Sequence, residues 1–106
     1  MNPNIDYLRD KANRLSLSPG VYLMKDKTGK IIYVGKAKAL KNRVTSYFRH
    51  DSNHNAKTLK LIDNIADFDF IVCPSELDAL VLECSLIKLH KPKYNILLKD
   101  DKGYNY

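Results

Sequence analysis

The chain has 106 residues, 44% hydrophobic and 28% charged, with a formal net charge of +6; that is enough for one compact domain and too little for a second core. No apolar run approaches the roughly 20 residues that cross a bilayer, the first residues lack the apolar core of a signal peptide, and 2 cysteines with 3 scattered histidines suit neither a disulfide scaffold nor a zinc site. These exclusions imply a cytoplasmic protein with no membrane partner, in which Cys73 and Cys84 are buried, reduced thiols.

Ile5, Leu8, Ala12 and Leu15 recur at helical spacing, so residues 5–15 are predicted as a short helix, broken by Ser18-Pro19-Gly20. Two β-branched runs follow, over 20–24 and 31–35, and the polar stretch from Lys25 to Lys30 between them is turn chemistry. The resulting hairpin carries mirrored triplets, Gly20-Val21-Tyr22 and Tyr33-Val34-Gly35. Pairing would bring two tyrosine hydroxyls together, beside a glycine where a ligand can approach the backbone. A second helix is predicted from Ala39 to Phe48, with Leu40, Val44, Tyr47 and Phe48 as its apolar stripe. Arg43 borders that stripe, a position that buries its stem and aims the guanidinium across the edge of the core.

Residues 49–54 read as polar loop and 56–66 as a helix with Leu59, Ile62 and Ala66 inward. Phe68, Phe70 and Val72 then alternate as in a strand. A long helix is predicted from Ser75 to His90, opened by a capping box of Ser75 with Asp78 and ended by Pro92. Tyr94 to Leu98 reads as extended and Lys99 to Gly103 as loop. The order β-β-α-α-β-α-β implies an α+β fold, a small mixed or antiparallel sheet begun by the N-terminal hairpin with helices packed around it. The chain stops without a cap or charged tail, as expected of the N-terminal part of a longer protein.

Charge is unevenly spread. From Lys25 to Lys60 there are ten basic residues against Asp26 and Asp51, whereas every charged residue from Asp67 to Glu83 is acidic. A basic third of this kind fits a polyanion partner, with nucleic acid the leading candidate. On a helical wheel, Leu77, Ala79, Leu80, Val81, Leu82, Cys84, Leu86, Ile87 and Leu89 cover nearly every direction, so the long helix should be largely buried. Glu83 lies among them, opposite Asp78 and Ser85. A carboxylate there must meet a cation, either a basic side chain such as Arg43 or a metal, because burial of an unpaired charge costs several kcal/mol. Asn95 could cap backbone groups or orient a neighbour.

The two triplets followed by Lys36, Arg43, Glu83 and Asn95, in that order, resemble the GIY-YIG nuclease domain. Leu17-Ser18-Pro19-Gly20-Val21-Tyr22, Tyr33-Val34-Gly35-Lys36-Ala37-Lys38, Asn42-Arg43-Val44-Thr45-Ser46-Tyr47-Phe48 and Lys91-Pro92-Lys93-Tyr94-Asn95 resemble, more narrowly, the UvrC branch of that family, the nuclease subunits of bacterial nucleotide excision repair. Valine replaces isoleucine in both triplets, and Asn105 stands where that branch has proline. The resemblance implies a metal-dependent endonuclease that makes the 3′-side incision in double-stranded DNA containing a lesion, in concert with a UvrB-like damage-recognition partner. It implies Tyr22, Tyr33, Lys36, Arg43 and Asn95 as catalytic residues and Glu83 as the ligand of Mg²⁺, which Mn²⁺ could replace. Tyr22 is the candidate general base, although ionising a tyrosine near neutrality requires about 4 kcal/mol. Gly35, Lys38, Lys41, Tyr47, Arg49 and His50 are the expected DNA contacts. The alternatives are a stand-alone GIY-YIG nuclease of other specificity, a non-catalytic nucleic-acid-binding module, or a structural domain with a buried Glu83–Arg43 pair.

Overall fold

The hairpin expected from the two triplets is the centre of the molecule. In this computed structural model, which describes residues 2–49 and 54–102, β1 (Gly20–Lys25) pairs antiparallel with β2 (Ile31–Ala37) on one side and with β3 (Asp67–Val72) on the other. The sheet order is therefore β2-β1-β3, with β2 and β3 at the edges. Asp26 shapes the turn: its carboxylate accepts from the backbone N–H of Thr28 and Lys30 and from the Thr28 hydroxyl. Gly29 supplies the positive φ of 85° that closes it. The register sets Tyr22 opposite Gly35 and Met24 opposite Tyr33, so the two tyrosines lie diagonally on one face.

That face is covered by α1 (Ile5–Asn13), α2 (Leu40–Tyr47) and α3 (Ala56–Asn64). Leu8, Ala12, Leu40, Val44, Phe48 and Leu61 form one core there with Tyr22, Met24 and Phe68. The opposite face packs Val21, Leu23 and Val34 against Ala79, Leu82, Leu86 and Ile87 of α4 (Glu76–His90). The sheet is thus a two-sided partition, and each face alternates along the strand as the pleat requires.

Four expectations are corrected. On α3 the inward residues are Leu61 and Ile62, joined by Ile65 just beyond its end, while Leu59 is exposed. In β3 only Phe68 is buried: α4 lies across β1 and β2 and leaves Ile71 bare on its face, and Phe70 and Val72, on the face Phe68 shares, are exposed as well. For the same reason α4 is buried along one side only: Ala79 is enclosed, but Leu77, Leu80, Val81 and Leu89 are exposed, and so is Cys84, expected as a buried thiol, while Cys73 is buried as expected. The stretch after Pro92 is not a fourth strand and loop but α5 (Lys93–Lys102), with Gly103 outside the described residues. Proline needs no partner for a missing N–H at a helix start, and the Pro92 carbonyl accepts from the Ile96 N–H at 3.4 Å.

The start of α4 is held as the capping box implies. Ser75 Oγ accepts from the Asp78 N–H at 3.2 Å and donates to Asp78 Oδ2 at 2.9 Å. Ser75→Ala should therefore lower the unfolding free energy by about 1 kcal/mol, read from urea titration; an unchanged midpoint would show that packing alone fixes this end.

Candidate active site

Tyr22 is fully buried at the centre of the helix-covered face. Its hydroxyl meets that of Tyr47 at 2.7 Å and accepts from Arg43 Nε at 3.3 Å. The Arg43 guanidinium lies over the Tyr47 ring, 5.4 Å from its centroid, and the Tyr33 ring is 6.1 Å from that of Tyr22. Arg43 and Tyr47 are one turn apart on α2, so a single helix presents both to the sheet. Burial, with Tyr47 and Tyr33 alongside, pushes the Tyr22 hydroxyl well above the usual tyrosine range, and Arg43 only partly offsets this. Tyr33, partly buried, is pushed up by burial and by Tyr47, pulled down by Arg43 and pushed up again by Glu83. Arg43 is held more firmly protonated by Tyr22.

Gly35 is not the open approach expected of it. A Cβ at this position would overlap the Tyr22 ring and hydroxyl, so the glycine clears room for that side chain and is itself buried. Gly20 is constrained in the same way by the Ile71 carbonyl and Leu40. Tyr47 is likewise buried rather than displayed to a polyanion, and the other face-on neighbour of its ring is the His54 imidazole, with centroids 6.0 Å apart and planes 11° from parallel. Its sequence signal was a tyrosine inside an apolar stripe, since a buried hydroxyl needs a partner.

The remaining residues gather at the outer edge of β2. Val34 donates its N–H to Asn95 Oδ1 and accepts from Asn95 Nδ2, both at 2.8 Å. These groups point away from β1, so by strand alternation Lys36 turns its N–H to the same edge. There it approaches the half-buried Glu83 carboxylate. Desolvation raises the Glu83 pKa, against the charge and backbone N–H of Lys36, which lower it. Arg43 is engaged with Tyr22 and Tyr47, so the buried Glu83–Arg43 pair does not form. Lys36, Lys38, Asn42 and Arg43 line an open depression where β2 runs into α2. Lys41 is half-buried on α2, Arg49 is exposed just past its end, and His50 lies outside the described residues.

Among the described residues no three His, Cys, Asp or Glu side chains cluster as a metal cage. Glu83 alone, beside a basic depression, fits an ion that keeps most of its waters and takes phosphate oxygens, as Mg²⁺ does. A raised carboxylate pKa has a sign that can be checked. Folded Glu83 binds its proton more tightly than the unfolded chain does, so stability falls as pH rises through the ordinary carboxylate range. Without divalent cations at pH 7, Glu83→Gln should melt no lower than the parent, and any gain should shrink toward pH 4. A loss of several degrees at pH 7 would mean that the carboxylate has a stabilising partner.

Residues 18–96 match the family model of the UvrC-like GIY-YIG domain. Curated relatives include the UvrABC system protein C of Desulfitobacterium hafniense, 60% identical over 97% of this chain and 17% of its own length. The protein of that name from Clostridium tetani is 60% identical over 83% of this chain and 14% of its own length. The chain therefore spans about one-sixth of the curated relatives it matches. Among solved structures, the N-terminal GIY-YIG endonuclease domain of UvrC from Thermotoga maritima, bound to its catalytic magnesium, superposes with a TM-score of 0.74 at 37% identity, covering 89% of this chain and 98% of that one. With Lys36, Glu83 and Asn95 at the outer edge of β2 and Tyr22, Tyr33 and Arg43 on the helix-covered face beside it, in a fold shared with that domain, this chain belongs to the UvrC-like GIY-YIG domain family.

Proposed function

We propose that the chain is the Mg²⁺-dependent nuclease module of an excision-repair protein, hydrolysing one phosphodiester on the 3′ side of a lesion in double-stranded DNA. In the longer protein a UvrB-like partner would deliver that substrate. The observation that carries this reading is that the Arg43 guanidinium and the half-buried Glu83 carboxylate both act on the Tyr33 hydroxyl, beside the basic depression that Lys36 and Arg43 line. The endonuclease and magnesium named for the Thermotoga domain, and the repair system named for the curated relatives, support it.

Glu83 would hold the ion. Bound there, magnesium would polarise the scissile phosphate and cancel the negative charge that Glu83 otherwise presents to Tyr33. Arg43 is placed to bind a non-bridging oxygen as its charge grows in the transition state, and Tyr22 fixes it in that pose. Lys36 and Lys38 guide the phosphate backbone into the depression. Tyr33, rather than Tyr22, is the tyrosine that can face the attacking water, since Tyr22 is enclosed and its hydroxyl is taken by Tyr47 and Arg43. Asn95 sets the β2 backbone from which Tyr33 and Lys36 project and is a positioning residue.

Crystals soaked in manganese should show an anomalous peak at Glu83 that Glu83→Gln abolishes, together with metal-dependent nicking; a peak elsewhere, or cutting by the variant, would overturn the single-carboxylate site. The two tyrosines should separate in a second experiment. Tyr33→Phe should lose turnover at unchanged stability, whereas Tyr22→Phe should also lose about 1 kcal/mol of stability by stripping Tyr47 and Arg43 of a shared partner. Equal melting of both variants would contradict this division of roles.

A further inference from the structure

Helix α4 is apolar around its circumference, yet this fold covers one side of it. Ala79, Leu82, Leu86 and Ile87 face the sheet, while the opposite side leaves Leu77 at 69%, Val81 at 59% and Leu80 at 41% exposed. Cys84, also exposed, falls on the same stripe one turn on. The spacing of Leu77, Leu80, Val81 and Cys84 is that of a ridge that packs into the groove of another helix. A helix that is hydrophobic all round belongs in an interior.

We infer that this outer stripe of α4 is the seat on which the domain docks against the remaining polypeptide of its longer relatives, through an apolar helix face with basic flanks. Two observations choose that occupant. The relatives carry this fold as only 17% and 14% of their length, so most of each relative lies outside the matched segment. The exposed acids Glu76 and Asp78 sit on either side of Leu77 at the start of the stripe, which repels phosphate and favours a basic protein surface. The basic depression of Lys36, Lys38 and Arg43 lies elsewhere, at the junction of β2 and α2, so nucleic acid and the docked polypeptide need not compete. This inference stands apart from the nuclease reading.

Cys84 provides a reporter built into the stripe, and buried Cys73 labels only through unfolding and so monitors the fold. The test compares iodoacetamide labelling of Cys84, by peptide mass spectrometry, in this chain alone and in the Desulfitobacterium relative with this chain exchanged for its matching segment. Labelling should be about 10-fold or more slower in the long protein, and Leu77→Glu with Val81→Glu should restore the rate of the isolated chain. The same pair of substitutions in the isolated chain should leave its melting temperature nearly unchanged, since both side chains are exposed. Equal rates in short and long forms would overturn the proposal. Slow labelling of the isolated chain that quickens on dilution would assign the stripe to a second copy instead, and protection by duplex DNA alone would assign it to nucleic acid.

Discussion

An edge strand must find partners for the backbone groups it turns away from its sheet, and β2 finds one in Asn95, a residue of the proposed site. Val34 is held by both ends of the Asn95 amide, as a neighbouring strand would hold it. On the same edge, Lys36 faces Glu83 and favours its charged form. Leaving edge backbone groups buried and unpaired costs about 1–3 kcal/mol each. The Asn95 pair ties α5 to this edge, and α4 is held against the same strands by its apolar side, so the geometry of the edge and the placement of the carboxylate are one problem with one solution.

The opposite side of the hairpin is organised by volume. Tyr22 can stand upright between the sheet and α2 only because Gly35 has no side chain, and Gly20 permits the close approach of Leu40. The outcome is a row of phenols and a guanidinium with every hydroxyl-bearing ring in contact with another. Packing here sets electrostatics: enclosing Tyr22 holds its proton firmly in place, and its oxygen then becomes a fixed acceptor that aims Arg43.

Much of this was legible in the residues themselves. The hairpin follows from β-branched runs around a polar turn, the start of α4 from Ser75 and Asp78, and the anomaly of Glu83 from its apolar neighbours. What could not be read was set by tertiary contact. Tyr94 to Leu98 is short and apolar enough to suit a strand, and its helix is fixed by packing against β2 and α3. The wheel of α4 says that all sides want burial but not which side this fold supplies. The stripe of α2 marks Tyr47 as inward without saying that its hydroxyl ends on Tyr22. Gly35 fits both a ligand approach and a cleared space, and the register across the hairpin decides for the second.

One feature of α4 couples matters that look separate. Glu83 and Val81 are two residues apart on a single rigid helix, one turned to the edge of β2 and the other outward. Whatever restrains the outer side also fixes where the carboxylate stands, and thermodynamic linkage makes that restraint mutual. An ion drawn to Glu83 would stiffen the helix for a neighbour on its back. A neighbour on its back would in turn lower the entropy lost when the ion arrives, so the affinity of such a site for a cation would become a property of the whole assembly.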